Sequence, residues 1–389
     1  MGHVEAEPAI ALGQPTTHQF LKLCAETDIA KISSAADWGL QLLIKGDFQE
    51  RWRIAKVLSK VGTSVILPLL AIAEDTKQET ELRWFAIRIL GQHRNSEVLA
   101  RLIILLENCS EEFLADEIMR ALVKLEDKAT DYLVPLLAQT ETRLLAVKAL
   151  CKVRYPNIVE PLLEVTDDPN PQIRELTIEA LGGFRHSRIF DCLITALRDP
   201  VSTVRIEAIR ALGFWANCVD KGAILKAVSP LLYDHNLDVC RQAGLTLSRL
   251  QTPEAVTAIA AVAKSEITPF VLKTELVQAL GWIDHQTSIE VLAQLLETSS
   301  EPLTLEIVKI FGRLTSGDRQ AQASDILLNF WQQQAQLPHR DLRQAIAYTL
   351  GQLKQASARP ILEELNKDDD SAVQLHANAA LNKLHSINP

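Results

Sequence analysis

The stretch from Asp199 to Phe214, D-P-V-S-T-V-R-I-E-A-I-R-A-L-G-F, decides the fold. Asp199-Pro200 is a turn: aspartate bonds its own backbone, and proline fixes φ while lacking an N–H. Val204, Ala208, Ala211 and Leu212 then fall on one face of a helix. The two alanines let a neighbouring helix approach closely. Gly213 stands where a left-handed residue closes a helix. Arg205 follows the first position of the buried stripe.

Anchored on Gly213, the same frame recurs at Ser59, Gly91, Val123, Cys151, Gly182, Ser248, Gly281, Gly312, Gly351 and Asn382. The interval runs from 28 to 39 residues and is mostly 31 to 33. Self-similarity at such a period marks stacked helix pairs. Eight places before the anchor stands Arg51, Arg83, Arg143, Arg174, Arg205, Lys273 or Arg343; Ala115, Cys240, Thr304 and Gln374 depart from this. Each unit has a preceding helix, as at Val65–Glu74, Tyr132–Gln139, Ile158–Val165, Ile189–Arg198 and Ile224–Tyr233. Several carry proline in or near their first turns: Pro68, Pro135, Pro161, Pro230 and Pro360. The repeat is therefore helix A, a turn, helix B and a short link. One such pair cannot bury its apolar face alone, and stacking the pairs does.

The runs V-R-I-E-A-I-R-A-L-G ending at Gly213 and I-R-E-L-T-I-E-A-L-G ending at Gly182 resemble HEAT-like repeats of the variety found in phycobiliprotein lyase subunits. L-R-Q-A-I-A-Y-T-L-G ending at Gly351 matches more loosely. The resemblance covers roughly residues 33 to 385. It implies an all-α fold, a right-handed α-solenoid (superhelix) of about eleven HEAT-like helix pairs, with helix A convex and helix B concave. It also implies that the Arg at the start of helix B pairs with Asp of the preceding turn, for which Asp167, Asp168, Asp199 and Asp234 are placed. Residues 1–32 would be a disordered tail and capping helix, and 33–389 one repeat array. The family holds lyases, adaptors, chaperones and assembly factors. In length and unbroken array the chain resembles cyanobacterial HEAT proteins that bind an A-type iron–sulfur carrier. The implied function is a non-enzymatic scaffold for a protein partner on the concave face, in iron–sulfur cluster assembly. The alternative is a phycobilin lyase or isomerase subunit, or a phycobiliprotein chaperone.

Composition sets further bounds. Apolar residues make up 47% but aromatics only 5%, which suits Leu/Ala/Val helix stacking rather than an aromatic-rich core. The net charge of −9 argues against nucleic acid as partner. There is no phosphate loop, no zinc spacing and no apolar run long enough for a membrane span. Cys24, Cys109, Cys151, Cys192, Cys218 and Cys240 show no C-x-x-C and read as small apolar residues in a reducing compartment, with Cys109 and Cys218 as alternative bilin or cluster thiols. The start has no secretory signal pattern, so a cytoplasmic location is expected.

Along the chain, Met1–Pro15 reads as tail and Thr16–Ala25 as a capping helix. Ser33–Lys45 is the first helix A. Asp318–Gln334 is a longer helix A with Trp331, followed by an extended loop at Gln336–Arg340.

Positions seven and three before each anchor share a helix face opposite the packing stripe. The minus-three column opens Lys56, Arg88, Arg120 and Lys148, all basic, and later holds Arg210 after Glu179. The minus-seven column opens Trp52 and Trp84. Aromatic plus Arg is the composition of binding hot spots. Trp52, Lys56, Trp84, Arg88, Arg120, Lys148 and Arg210 are thus the candidate partner-binding residues. Two readings compete with this. Glu117–Arg120, Glu207–Arg210 and Glu306–Lys309 are ordinary i,i+3 pairs, and the two tryptophans tilt into the inter-repeat core.

Trp215 and Trp282 follow their glycines and read as edge residues at the B-to-A link. His93, His186, His235 and His285 lie just past helix ends or in turns, where a cation suits a helix C-terminus. No two have metal-ligand spacing. No nucleophile and base, and no carboxylate pair, stand in a catalytic relation, so no catalytic residue and no cofactor is expected.

Overall fold

The structure, a computed structural model, describes residues 16–26, 35–93, 95–124, 128–151, 156–333 and 339–385. The expected tail and most of the loop at Gln336–Arg340 lie outside these. All the described regular structure is helical. The chain divides into two compact units, one ending at Phe184 and the other starting at Arg185.

The first unit begins with α1 (Thr17–Glu26). Five pairs follow: α2 (Ala35–Lys45) with α3 (Phe48–Leu58), α4 (Ile66–Glu74) with α5 (Thr80–Leu90), α6 (Ser96–Glu107) with α7 (Glu112–Lys124), α8 (Lys128–Leu136) with α9 (Thr140–Leu150), and α10 (Val159–Leu163) with α11 (Pro171–Gly182). The second unit holds six: α12 (Ser187–Ala196) with α13 (Ser202–Phe214), α14 (Lys221–Val228) with α15 (Leu237–Leu250), α16 (Pro253–Lys264) with α17 (Phe270–Gly281), α18 (Gln286–Thr298) with α19 (Glu301–Phe311), α20 (Gly317–Gln333) with α21 (Arg340–Leu353), and α22 (Arg359–Leu365) with α23 (Ser371–His385). Within each unit every helix B packs on the next helix B, and A helices pack on A helices, making a two-layered solenoid. Several A helices open with a 3₁₀ turn, as at Gly62–Val65 and Ala356–Ala358. Ser229-Pro230 instead converts the end of one into a 3₁₀ turn, because proline cannot donate within a helix.

The core lies between the layers. Ile54, Leu58, Phe85 and Leu90 are fully enclosed in the first unit, as are Val239, Leu247, Phe311 and Ile346 in the second. Each such side chain contributes roughly 1.5–3 kcal/mol by leaving water.

The anchor glycines differ from expectation. Gly213 lies inside α13 and Gly91 closes α5 with a right-handed φ of −62°. Among the described residues the left-handed non-glycine positions are Gln251 and Lys354, one turn beyond the anchors. The anchors are small because the next helix B is close. A Cβ on Gly91 would stand 2.8 Å from the Cα of Ala121, and one on Gly351 would stand 3.0 Å from the Cα of Ala380. At Gly213 it would stand 3.0 Å from Oγ1 of Thr246, whose hydroxyl donates to the Ile209 carbonyl at 3.1 Å. Thr349 repeats this on the Val308 carbonyl, beside Gly312.

The turn aspartates bond their own backbone as expected: Asp199 accepts from the Val201 N–H at 2.8 Å. The arginine partner differs. Arg205 donates to the Asp199 and Pro200 carbonyls of its own turn, at 2.7 and 3.2 Å. Its carboxylate, held by two hydrogen bonds of 2.9 and 2.8 Å, is Asp234 in the turn of the following repeat. Arg143 reaches Asp168 and Arg343 reaches Asp368 in the same way; Arg51 and Arg83 use Glu79, Glu81 and Glu111. The guanidinium fork has donors for both jobs, and a preceding-turn carboxylate would leave the next repeat unlinked. Where Arg is missing, Gln374 and Cys240 still donate to the turn carbonyls of Asp368 and Asp234.

The long helix α20 appears as expected, and its Trp331 Nε1 donates to Glu364 of α22 at 3.2 Å, so the extension packs on the following helix A.

Candidate partner-binding face

On α3, Phe48, Trp52 and Lys56 fall at four-residue intervals and form one stripe. On α5, Trp84 and Arg88 do the same, and α7 adds Phe113 and Glu117. B-on-B stacking sets these stripes side by side, and the rings meet. Phe48 stacks on Trp52 at 6.2 Å and 22°, Trp52 on Trp84 at 6.3 Å and 15°, and Trp84 on Phe113 at 5.9 Å and 19°. Enclosed Phe85 meets Phe48, Trp52 and Trp84 edge-on from below. The result is a four-ring ladder across three repeats. Its ends are open: Phe48 is 53% and Phe113 59% exposed.

Arg88 lies over this ladder, its guanidinium carbon 4.6 Å from the Trp52 ring centre and 5.0 Å from that of Trp84. Such contacts contribute about 0.5–2 kcal/mol, more when dry. Arg88 also donates to Glu117 at 3.3 Å, and the same carboxylate accepts from Arg120 at 2.7 Å. Glu117 is 1% exposed, so it holds both guanidinium groups in place from beneath. Beside the ladder runs a groove of about 390 Å³ between α3 and α5, lined by Trp52, Lys56, Ser59, Lys60, Arg88 and Gln92 among others. Its lining includes three cations and no carboxylate.

Of the residues expected at the site, Trp52, Lys56 and Arg88 line this groove together, and Arg120 joins through Glu117. Trp84 belongs to the ladder but is buried: Trp52 and Phe113 cover its two sides, and its Nε1 is enclosed without a hydrogen-bond partner among the described residues. Trp52 remains half-exposed, so the inward tilt applies to one tryptophan and not to the other. Lys148 lies on α9 beyond the groove and is half-buried. Arg210 belongs to the second unit and is engaged by Glu207 in an i,i+3 pair. Phe48, Phe113 and Lys60 join the site without having been singled out. Phe48 stands four residues before Trp52, a legible spacing, whereas Phe113 is out of the minus-seven column and only the stacking brings it in.

Elsewhere, Trp215 packs at the edge against Phe190, with Arg185 over its ring at 5.0 Å, while Trp282 is exposed. His285 caps the N-terminus of α18, its Nδ1 accepting from the Thr287 N–H at 3.2 Å, and His186 precedes α12. Both thus stand at a helix N-terminus rather than the C-terminus expected, and the His285 ring nitrogen satisfies an unpaired helix N–H, while His186 makes no side-chain cap bond. His93 is half-buried and its pKa is depressed because burial disfavours the charged ring. Cys240 is buried, Cys218 exposed, and Cys151 half-buried at the end of α9 with its thiol donating to the Leu176 carbonyl. Among the described residues no group of three or more His, Cys, Asp or Glu is placed to hold a metal, and no helix is long and apolar enough to cross a membrane.

A family model for HEAT repeats matches residues 159–225. No curated protein sequence matches the chain. Among solved structures, the karyopherin Kap121p bound to the extreme C-terminus of the protein phosphatase Cdc14p aligns with a TM-score of 0.55 at 15% identity, over 96% of this chain and 52% of that one. Kap121p bound to Pho4p aligns at 0.54 and 14%, over 95% and 51%. Importin beta aligns at 0.51 and 12%, over 95% and 60%. The chain thus spans about half the length of the Kap121p chains it resembles. At these identities the likeness is one of fold: a HEAT-type helical solenoid.

Proposed function

We propose that this protein is a non-enzymatic interaction scaffold, and that the B-helix face of its first unit binds an acidic segment of a protein partner. The observation that carries this is Arg88, fixed over Trp52 and Trp84 and tied to Glu117, beside a groove whose charged lining is cationic only. In a chain of net charge −9, that concentration of cations favours an anionic partner. The exposed rings of Phe48 and Phe113 and the half-exposed Trp52 supply apolar anchors beside the charges, and Lys148 and Arg120 extend the basic stripe. The HEAT-type fold supports the reading, since structurally similar Kap121p has been solved bound to the extreme C-terminus of Cdc14p and bound to Pho4p. The sequence resemblance makes an A-type iron–sulfur carrier the first partner to try, on the face it would make concave.

The test is calorimetric titration of the purified carrier into the wild-type chain and into a Trp52→Ala/Lys56→Glu/Lys60→Glu variant, with circular dichroism to check folding. The expected result is a saturable heat with the wild type and at least a tenfold weaker one with the folded variant. Equal affinity for both would remove this face as the site. Absence of binding to either would remove the carrier. A bilin absorption change instead would move the protein to the lyase class.

A further inference from the structure

The second unit has a groove of its own on the B-helix layer, between α19 and α21, with α23 at its margin. At about 730 Å³ it is nearly twice the size of the first. Its chemistry is different. Gln344, Tyr348 and Gln352 stand at four-residue intervals on α21 and form one stripe along it. A side-chain amide offers one acceptor and two donors, the complement of a peptide unit's N–H and C=O. Tyr348 is 51% exposed, with His376 meeting its ring edge-on at 5.8 Å.

Charge is divided between the two ends of this groove. The register of the helices is set by Gly312 lying against Thr349, whose hydroxyl donates to Val308. That places Lys309 of α19, and Arg313 in the turn just beyond it, level with Tyr348 and Gln352. Asp341 stands at the opposite end, in the first turn of α21, where one of its oxygens accepts from the exposed neighbour Arg340 at 3.2 Å and the other remains to receive a ligand cation. Lys309 donates to Glu306 at 2.9 Å, whereas Arg313, exposed just beyond the end of α19, feels that carboxylate only through its charge and is the cation more available to a ligand. From Asp341 to Gln352 the helix rises roughly 16 Å, the span of about five extended residues.

We infer that this groove binds an extended peptide segment carrying an acidic side chain at one end and a basic one about four residues away, the acid held by Arg313, the base by Asp341, and the intervening backbone by Gln344 and Gln352. The site is separate from the one proposed above and differs in preference, since the first groove has no carboxylate to receive a basic residue.

The experiment is selection of a phage-displayed random-peptide library on the full chain in which the first groove is disabled by Trp52→Ala/Lys56→Glu/Lys60→Glu. The expected result is enrichment of peptides with Asp or Glu and Lys or Arg about four residues apart, in one constant order. The same selection on a chain that also carries Arg313→Glu and Asp341→Lys should enrich the reverse order. Both substituted positions are exposed, so folding is expected to survive, and circular dichroism checks it. An enriched peptide, labelled and followed by fluorescence polarisation, should bind Gln344→Ala/Gln352→Ala at least fivefold more weakly. Peptides without that spacing, or an order that ignores the charge swap, would overturn the inference. Because the first groove is disabled throughout, neither outcome depends on it.

Discussion

In the first unit the position seven before each anchor holds Trp52, Trp84, Asp116, Leu144 and Glu175; in the second it holds Ile206, Arg241, Thr274, Leu305, Gln344 and Leu375. The minus-three position runs from four cations to Glu179 in the first unit, and through Arg210, Leu245, Gln278, Lys309, Tyr348 and Ala379 in the second. Eight before the anchor, by contrast, both units keep Arg wherever a turn carboxylate of the next repeat receives it. Positions that hold repeat to repeat are therefore shared, and positions that face outward are where the units diverge. One unit presents stacked rings under a fixed guanidinium; the other presents amides and a tyrosine between opposite charges.

The largest effect should follow the burial of the arginine's partner, which is deep for Asp234 in the second unit, as for Asp168 in the first, and shallow for the Glu79 and Glu81 that receive Arg51. Arg205 and Asp234 are both nearly inaccessible, so Arg205→Ala should cost about 3–5 kcal/mol, because it strands a buried carboxylate. Arg51→Ala should cost about 1–2 kcal/mol, mainly its two carbonyl contacts, because Glu79 and Glu81 can return to water. Guanidinium denaturation with hydrogen exchange resolved by repeat measures both, and equal losses would break the distinction.

Close approach of neighbouring B helices is common to the units. Gly91→Ala and Gly351→Ala meet backbone atoms of the next helix and should each destabilise by about 1–3 kcal/mol. Gly183→Ala meets only a carbonyl at 3.5 Å and should fall within about 0.5 kcal/mol of wild type. Thermal melting of the three variants decides this, and a mild Gly91→Ala would undo the close-approach account.

For partner binding, Trp52→Ala should reduce affinity for an acidic partner about tenfold or more, while Tyr348→Ala leaves it unchanged. Calorimetry that found both variants equally impaired would erase the functional difference between the grooves.

Acid should act most gradually. Burial is the largest single influence on Asp234 and works against its charge, but the Arg205 hydrogen bonds, the Asn236 N–H and the Arg205 charge together outweigh it and hold the carboxyl below its ordinary range; for Asp368 the Arg343 hydrogen bonds are themselves the largest influence and lower it. A carboxyl with a lowered folded pKa adds stability that is complete above the unfolded value near about 3.9 and disappears as pH falls through the folded one. Exchange protection of α13, α15, α21 and α23 should therefore hold at pH 5 and decline below about pH 4. Arg205→Ala should remove the Asp234 part of that dependence.

The repeat, its period, the A and B helices and the basic first half of the minus-three column were all readable in the chain, because helical spacing along one segment is a local property. The reading stopped where a contact crosses between repeats. Gly213 looked like a helix terminator and is a spacer for Thr246. Arg205 pointed by proximity to its own turn and carries its carboxylate partner from the next. Trp84 looked like a twin of Trp52, yet Phe113 on α7 covers its outer side and leaves Trp52 alone half-exposed.

By itself, then, the sequence determined which residues face the core and that the pairs must stack, since apolar periodicity and turn chemistry act within a single helix pair. Tertiary structure decided which rings stack, which cations stay available to a ligand and which glycines have no room for a side chain. Those outcomes depend on the register between neighbouring B helices, and that register is set by packing across residues 37 and 41 positions apart.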